Sequence, residues 1–311
     1  MNDTIYAIDP YSMEPGDTGV GLIYIRSMSV KPKRNGGVYG DLEGYYKGKT
    51  YPLKVWHESL IDLLRDVKFF IGKVRADSYN GSLQVTVETV ELTDPDGVDE
   101  TFFFDSVDMD KLNKLKDEVL SQLGEYAELF NKLVEPFKSA FYSAPAARNS
   151  HDNLIGGLAY HSFKTADLAI YLAKQYGLDV QFIGFCALVH DIGKVVALSA
   201  KTIDYTPAGM VQGHISLGIR ILTANKQLLD QYMNPMQQHI LYGVVENHHG
   251  KDFGGTPTTL EAWLVHYADI TEATLTVYST YTKQQIEMGE TGKSTWFHGG
   301  FYFVGGHELK G

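Results

Sequence analysis

The spacing of apolar residues changes once along this chain, near Pro95 and Gly97, and this change constrains the fold most. Before it, five runs between Gly19 and Leu92 are rich in β-branched and aromatic residues, which predicts strands. After it, apolar residues recur every three or four positions, which predicts amphipathic helices. At 311 residues the chain is also long for a single domain. The sequence therefore predicts an α+β protein with a β domain followed by a helical domain.

The first domain is predicted to span residues 1–95. Three of its strand runs precede the helical segment HESLIDLLRD and two follow it, which fits a five-stranded barrel of the OB type. The dipeptide Asn80-Gly81 predicts a hairpin turn, and the segment 46–49 predicts another. In the last run the apolar phase shifts between Val87 and Val90, which predicts a bulge.

A local basic face is predicted on this barrel although the net charge of the chain is −11. Residues 31–56 hold six bases against two acids, with aromatic residues between them. OB folds often bind single-stranded nucleic acid by aromatic stacking over a basic groove, although they also bind sugars and proteins. Half of these aromatics are expected to fill the barrel instead. The candidate nucleic-acid contacts are Lys33, Arg34, Tyr39, Tyr46, Lys47, Lys49 and Trp56.

The segment 96–145 is predicted to be an acidic helical linker, and residues 146–311 are predicted to be the helical domain. Gly124 is expected to divide the linker into two helices, and Pro136 to kink or end the second. The excess of acidic residues is expected on solvated faces. The last stretch, STWFHGGFYFVGG, is aromatic and glycine-rich, and it fits either a hairpin or an extended tail.

Neither export nor membrane insertion is expected. No apolar run reaches the roughly 20 residues of a spanning helix, and the start lacks the basic region and apolar core of a signal peptide. Cys186 is the only cysteine and lies in an apolar run, which predicts a buried thiol and excludes an intrachain disulfide. These features predict a cytoplasmic protein without a membrane partner. The sequence leaves open whether the chain forms a homo-oligomer.

Ten of the eleven histidines lie beyond residue 150, and several stand beside carboxylates or one another. Taken singly, each fits a helix cap or a hydrogen-bonded core group. Imidazole and carboxylate together suit Mn²⁺, Fe²⁺, Co²⁺ or Ni²⁺, with Mg²⁺ as a further alternative. His266, three residues before Asp269, is expected to pack against it or support it. The ordered set that predicts a metal site is His161, His190-Asp191, His214, His248-His249 and Asp269.

This set resembles the HD superfamily of metal-dependent phosphohydrolases, and the HDIGK run ending at Lys194 is typical of it. The chain is more closely similar to the YhaM-type 3′–5′ exoribonucleases, which join an OB domain to an HD domain. The segments that carry this resemblance are SAPAARNSHDNLIGGLAYH, GHISLG, NHHG and TLEAWLVHYAD. The chain departs from the family pattern at one position. The family often has paired histidines there, whereas this chain has His151 followed by Asp152.

The resemblance implies an all-α HD domain that binds two divalent ions. Mn²⁺ is the first candidate for the metal. It implies that Asp191 bridges both ions and that Lys194 contacts the phosphate or assists the leaving group. The implied ligands of the first ion are His161, His190, Asp191 and Asp269. Those of the second, besides Asp191, are His214, His248 and His249.

The implied activity is 3′–5′ hydrolysis of single-stranded RNA, with DNA as a second candidate, and the 3′ polarity rests on the resemblance alone. The OB domain would hold the strand, and the HD site would cut it. Two alternatives stay open. One is an HD phosphohydrolase acting on nucleotides or cyclic nucleotides, since the metal site does not fix the substrate. The other is a non-catalytic nucleic-acid-binding protein that keeps a relic metal site.

Overall fold

The computed structural model divides the chain into two compact units, Met1–Asp105 and Ser106–Gly311. The residues that the structure describes are 7–47, 49–79, 81–95, 98, 103–148, 152–199, 203–252, 255–287, 289, 291–297 and 300–305. The predicted α+β class is confirmed, because the first unit is a closed β-barrel and the second is mostly helical.

Five strands and one short helix build the barrel. The sheet closes in the order β1-β2-β3-β5-β4, and its pairs are antiparallel except for β3 with β5. The helix lies between the third and fourth strands, where HESLIDLLRD predicted it. The elements are β1 (Thr18–Pro32), β2 (Val38–Tyr46), β3 (Lys49–Val55), α1 (Glu58–Leu63), β4 (Phe69–Tyr79) and β5 (Ser82–Thr93).

Alternation along the strands fills the barrel core with aliphatic and aromatic side chains, among them Leu53, Phe70 and Val87. The predicted bulge in β5 is confirmed, since Val87 and then Thr89 pair with successive residues of β4. The β4–β5 hairpin closes at the Tyr79–Ser82 pair, as predicted. Each predicted turn contains one residue that lies outside the described residues, namely Gly48 in the first and Asn80 in the second.

The second unit holds the remaining helices and two short hairpins. The segment predicted as a linker contains α2 (Met109–Leu120), α3 (Glu125–Val134) and α4 (Lys138–Ser143). Their apolar faces, with Leu112, Leu129 and Phe141, pack into the same core as the later helices. Gly124, at φ 56°, precedes α3, and Pro136 lies in a 3₁₀ turn between α3 and α4. The later helices are α5 (Gly157–Tyr176), α6 (Val180–Val189), α7 (Lys194–Ala197), α8 (Pro207–Ala224), α9 (Lys226–Leu229), α10 (Pro235–Asn247) and α11 (Leu260–Glu287).

Helix α6 is the centre of this core. Every residue from Phe182 to Val189 is buried, as expected for a helix that is apolar on all sides. Asp179 caps its first turn by accepting hydrogen bonds from the amides of Gln181 and Phe182. Among the described residues, the stretch Val180–Ala197 has the length and hydropathy to cross a membrane, and 83% of it is buried inside the protein.

Two small hairpins complete the unit. The first pairs β6 (Leu198–Ser199) with β7 (Asp204–Tyr205). The second pairs β8 (Ser294–Phe297) with β9 (Gly300–Phe303), so the aromatic, glycine-rich stretch forms a hairpin. Tyr302 of this hairpin shares a hydrogen bond of 2.6 Å with Thr282 near the end of α11.

Candidate metal centre

Helix ends and helix faces bring the predicted ligands together. His161 lies in the first turns of α5, and Asp269 lies in the middle of α11. His190 is the C-cap of α6, and Asp191 follows it. His214 comes directly after Gly213, whose φ of 72° interrupts α8 and starts a second helical stretch at the histidine. His248 and His249 follow the last turn of α10.

Three of these residues form the first cluster, which consists of His161, His190 and Asp269. One ligand atom from each lies within 4.8 Å of the others, and all three side chains are buried. The Oδ1 atom of Asp269 lies 3.1 Å from His161 Nε2 and 3.7 Å from His190 Nε2. Ligands bound at about 2.0–2.1 Å to one ion lie roughly 3 Å apart. The spacing therefore fits shared coordination.

The second cluster consists of Asp191, His214, His248 and His249, again with ligand atoms within 4.8 Å of one another. The Nε2 atoms of His214 and His249 are 3.1 Å apart. Asp191 Oδ1 lies 3.5 Å from His214 Nε2 and 3.4 Å from His248 Nε2.

Asp191 also faces the first cluster through its other oxygen. Asp191 Oδ2 lies 3.3 Å from His190 Nε2 and 3.6 Å from His161 Nε2. One carboxylate therefore turns one oxygen to each cluster, which is the arrangement that a bridging ligand requires. The assignment of individual ligands stays a prediction.

Two histidines are held with Nε2 turned to the centre. His190 Nδ1 donates to the carbonyl of Ala187 at 2.6 Å, and His248 Nδ1 donates to that of Val245 at 2.9 Å. Within the described chain, their buried Nε2 atoms and Asp191 Oδ1 have no hydrogen-bond partner. A buried polar atom without a partner is costly. These atoms therefore fit a divalent ion, which imidazole and carboxylate donors suit.

The two clusters differ in charge. In the first, burial alone would lower the pKa of His190, but the negative charges of Asp191 and Asp269 raise it to about 10. Burial would raise the pKa of Asp191, but Lys194 and His190 hold it well below its usual range. In the second, burial lowers the pKa values of His214 and His249 to about 3. The neighbouring carboxylates thus dominate at His190, whereas burial dominates at His214 and His249 and favours neutral imidazoles there.

A cavity of about 980 Å³ adjoins these residues, a volume at the upper end of the range of ligand sites. Lys194 lies in its wall, is only 7% exposed and places Nζ 2.6 Å from Asp191 Oδ2. The side chains around the cavity include Lys194, Tyr205, Met210, His214, Asn247 and His249.

Residues 158–274 match the family model described as the HD domain. This helical region is an HD domain. It contains all seven predicted metal ligands together with Lys194. The HD domain of the L. monocytogenes phosphodiesterase PgpH is similar at 18% identity, over 49% of this chain and 85% of its own, with a TM-score of 0.31. The same domain in complex with cyclic-di-AMP is 17% identical over 49% and 83%, with a TM-score of 0.29.

Sequence reasoning missed a buried carboxylate behind the predicted ligands. Glu272 accepts a hydrogen bond from His161 Nδ1 and also pairs with Lys164. A signal for both was present, since Lys164 follows His161 by three residues and Glu272 follows Asp269 by three. Each therefore lies beside a predicted ligand on its helix. His266, expected to pack against or support Asp269, donates from Nδ1 to the carbonyl of His248. His151 lies outside the described residues.

The candidate nucleic-acid contacts fall into two groups on the barrel. Tyr39 and Trp56 stack, with ring centroids 5.0 Å apart and an angle of 25° between the rings, and Trp56 is 42% exposed. Lys33 Nζ donates to the carbonyl of Trp56 at 2.7 Å, and Arg34 follows Lys33 in an exposed turn. We call Lys33, Arg34, Tyr39 and Trp56 the stacking patch.

The other three candidates lie at the opposite end of the β2–β3 pair, where Tyr46 pairs with Lys49. Seven residues of strand, or about 23 Å, separate Tyr46 from Tyr39. Tyr46 packs edge-on against Phe103, and Lys47 lies 3.8 Å from the carboxylate of Asp105. The structure therefore does not bring the seven candidates together as one surface.

Proposed function

We propose that this protein is a metal-dependent phosphodiesterase that shortens single-stranded RNA, and secondarily DNA, from the 3′ end. One observation carries the proposal. Asp191 turns one oxygen to each of two histidine-containing clusters, beside a cavity that Lys194 lines.

The residues take the following roles. His161, His190, Asp191 and Asp269 would hold one ion, and His214, His248 and His249 would complete a second site with Asp191. Divalent ions bound there would neutralise phosphate charge and lower the pKa of a coordinated water. The donor set suits Mn²⁺ first, with Fe²⁺, Co²⁺, Ni²⁺ and Mg²⁺ as alternatives.

Lys194 would act on the substrate. Its ammonium group lies in the wall of the cavity, so it attracts the phosphodiester and stabilises charge on the leaving oxygen. Asp191, 2.6 Å away, keeps this ammonium in position when the cavity is empty of substrate.

The stacking patch supports a single-stranded substrate. Aromatic faces bind bases of any sequence, and the neighbouring Lys33 and Arg34 would attract the phosphate backbone. The 3′ polarity comes from the resemblance to the YhaM-type exoribonucleases.

The test is incubation of the Mn²⁺-loaded protein with an oligoribonucleotide labelled at its 5′ end, beside a panel of nucleotides and cyclic dinucleotides. A ladder of shortened labelled products is expected. Turnover of the nucleotide panel without shortening of the oligonucleotide would instead identify a nucleotide phosphohydrolase.

Asp191→Asn separates the enzyme from a mere binding protein. The variant removes the charge of the shared carboxylate and is expected to lose turnover while it still binds oligonucleotide. Turnover equal to that of the wild type would reject the site.

A further inference from the structure

A row of buried charged side chains lies behind His161, on the side away from the two clusters. Glu272 is 7% exposed and Asp152 is 8% exposed, and the side chain of Lys164 between them is 22% exposed. Burying three charges is unfavourable unless they are paired. The partners of these three groups therefore indicate the role of the row.

Each group in the row has a defined partner. His161 Nδ1 donates to Glu272 Oε2, and the other oxygen of Glu272 accepts from the hydroxyl of Thr276 at 2.6 Å. That second oxygen also pairs with Lys164 Nζ. Lys164 Nζ in turn donates to Asp152 Oδ2 at 3.0 Å and to the hydroxyl of Thr276 at 2.9 Å.

The position of His161 within its helix explains why it needs a carboxylate. His190 and His248 stand at helix ends, where the carbonyls of the last turn are free to accept from Nδ1. His161 lies inside α5, where the carbonyls of the preceding turn already bond to amides of the helix. An acceptor for its Nδ1 must therefore come from another helix, and Glu272 of α11 supplies it.

We propose that Glu272 is a positioning residue for the metal ion of the first cluster, held in place by Lys164 and Asp152. It fixes the tautomer of His161 so that Nε2 faces Asp269 and Asp191. This inference rests on the proposed function only in requiring that the centre binds metal.

A carboxylate that accepts from Nδ1 changes the imidazole more than a backbone carbonyl does. It makes the imidazole a stronger electron donor, and loss of such an acceptor typically weakens metal binding 10–100-fold. The row as a whole also carries two carboxylates against one ammonium group. The remaining negative charge lies behind His161 and favours a cation in front of it.

The experiment is a Mn²⁺ titration of the metal-free full chain, with free Mn²⁺ followed by electron paramagnetic resonance. Glu272→Gln keeps the shape and removes the charge. We expect the affinity for one ion to fall 10–100-fold and the affinity for the other to be unchanged. Asp152→Asn changes the hydrogen-bond partner of Lys164 and leaves the Glu272 carboxylate in place, so we expect it to have a smaller effect. Glu261→Gln, on the same helix, serves as the matched control.

The outcomes separate this inference from the proposed function. A wild-type protein that binds no Mn²⁺ overturns both. Two bound ions with unchanged affinities in Glu272→Gln overturn only the role of Glu272. An equal loss at both ions, with a lowered unfolding temperature of the metal-free variant, also overturns it, because that is the effect of general damage to the fold.

A second measurement needs no variant. In the wild-type protein loaded with a diamagnetic ion such as Zn²⁺, nitrogen-15 spectra of labelled histidines report which ring nitrogen binds the metal. We expect His161 to bind through Nε2, with a proton on Nδ1 shifted far downfield by the carboxylate. A metal-bound Nδ1 on His161 would contradict the proposal.

Discussion

Gly193 lies against the backbone of His214. A Cβ built on Gly193 would stand 1.9 Å from the carbonyl oxygen of His214 and 2.4 Å from the amide nitrogen of Gly218. The φ of Gly193 is −66°, which any residue adopts, so the constraint is steric. The glycine of the HDIGK run therefore lets α8 approach closely enough to bring His214 to Asp191.

Gly193→Ala is expected to push α8 away and to weaken the second cluster. Overpacking of this kind costs about 1–3 kcal/mol of stability, and the displaced His214 should lower turnover and the affinity for one ion. Gly243→Ala is the matched control, since nothing lies within 4 Å of its Cβ position and alanine favours a helix. Measurements of unfolding midpoint and turnover check this, and equal behaviour of the two variants would contradict it.

Removal of the divalent ions is expected to destabilise the helical unit. Ions that bind only the native state contribute about 2.7 kcal/mol per site at 100 times Kd. For a unit of this size that corresponds to roughly 5–10 °C in Tm per site. Calorimetry of the chelator-treated and Mn²⁺-reloaded protein measures the shift. The control is Asp191→Asn, in which Mn²⁺ should raise Tm much less, and an equal shift in both proteins would argue against the shared carboxylate.

The candidate metal ligands could be selected from the sequence because several stand beside a local signal and because their order resembles that of the HD superfamily. His190 and Asp191 end an apolar run, and His214 follows a glycine. The spacing from Asp269 marks Glu272 as a neighbour of that residue, but its partner His161 could not be assigned, because the two are 111 residues apart and are joined by the packing of α5 on α11. Contacts set by packing or strand register could not be predicted in the barrel either. The sequence placed Tyr39 and Tyr46 together by composition, whereas the register of β2 and β3 places them at opposite ends.

The stacking patch is expected to dominate oligonucleotide binding by the barrel. Loss of one stacking aromatic costs about 1–3 kcal/mol per base, so Trp56→Ala should weaken binding of a short oligouridylate by roughly 5–150-fold. Trp263→Ala is a close control. Trp263 also stacks on an exposed tyrosine, Tyr267, with ring centroids 5.6 Å apart, but this pair lies on α11 and not on the barrel. Fluorescence anisotropy measures both affinities, and equal losses would exclude a special role for the barrel pair.

Asp41 is expected to stabilise the barrel and to restrain its basic face. It pairs with both Lys31 and Lys54, and Lys54 Nζ lies 5.8 Å from the ring of Tyr39. Burial would raise the pKa of the Asp41 carboxyl, but the two lysines hold it below its usual value of 3.8. A lowered native pKa contributes stability that is present above pH 3.8 and is lost as pH falls through the native value.

Asp41→Asn should therefore unfold at a lower denaturant concentration than the wild type at pH 7, and the difference should shrink as the pH falls below 3.8. Hydrogen exchange of barrel peptides in denaturant, compared between the two proteins across this pH range, measures the difference in stability.

The same variant, Asp41→Asn, frees two ammonium groups beside the stacking patch. Its affinity for oligonucleotide should rise and its dependence on salt should steepen, because more counterions are released on binding. An unchanged salt slope would show that Lys31 and Lys54 lie outside the path of the strand.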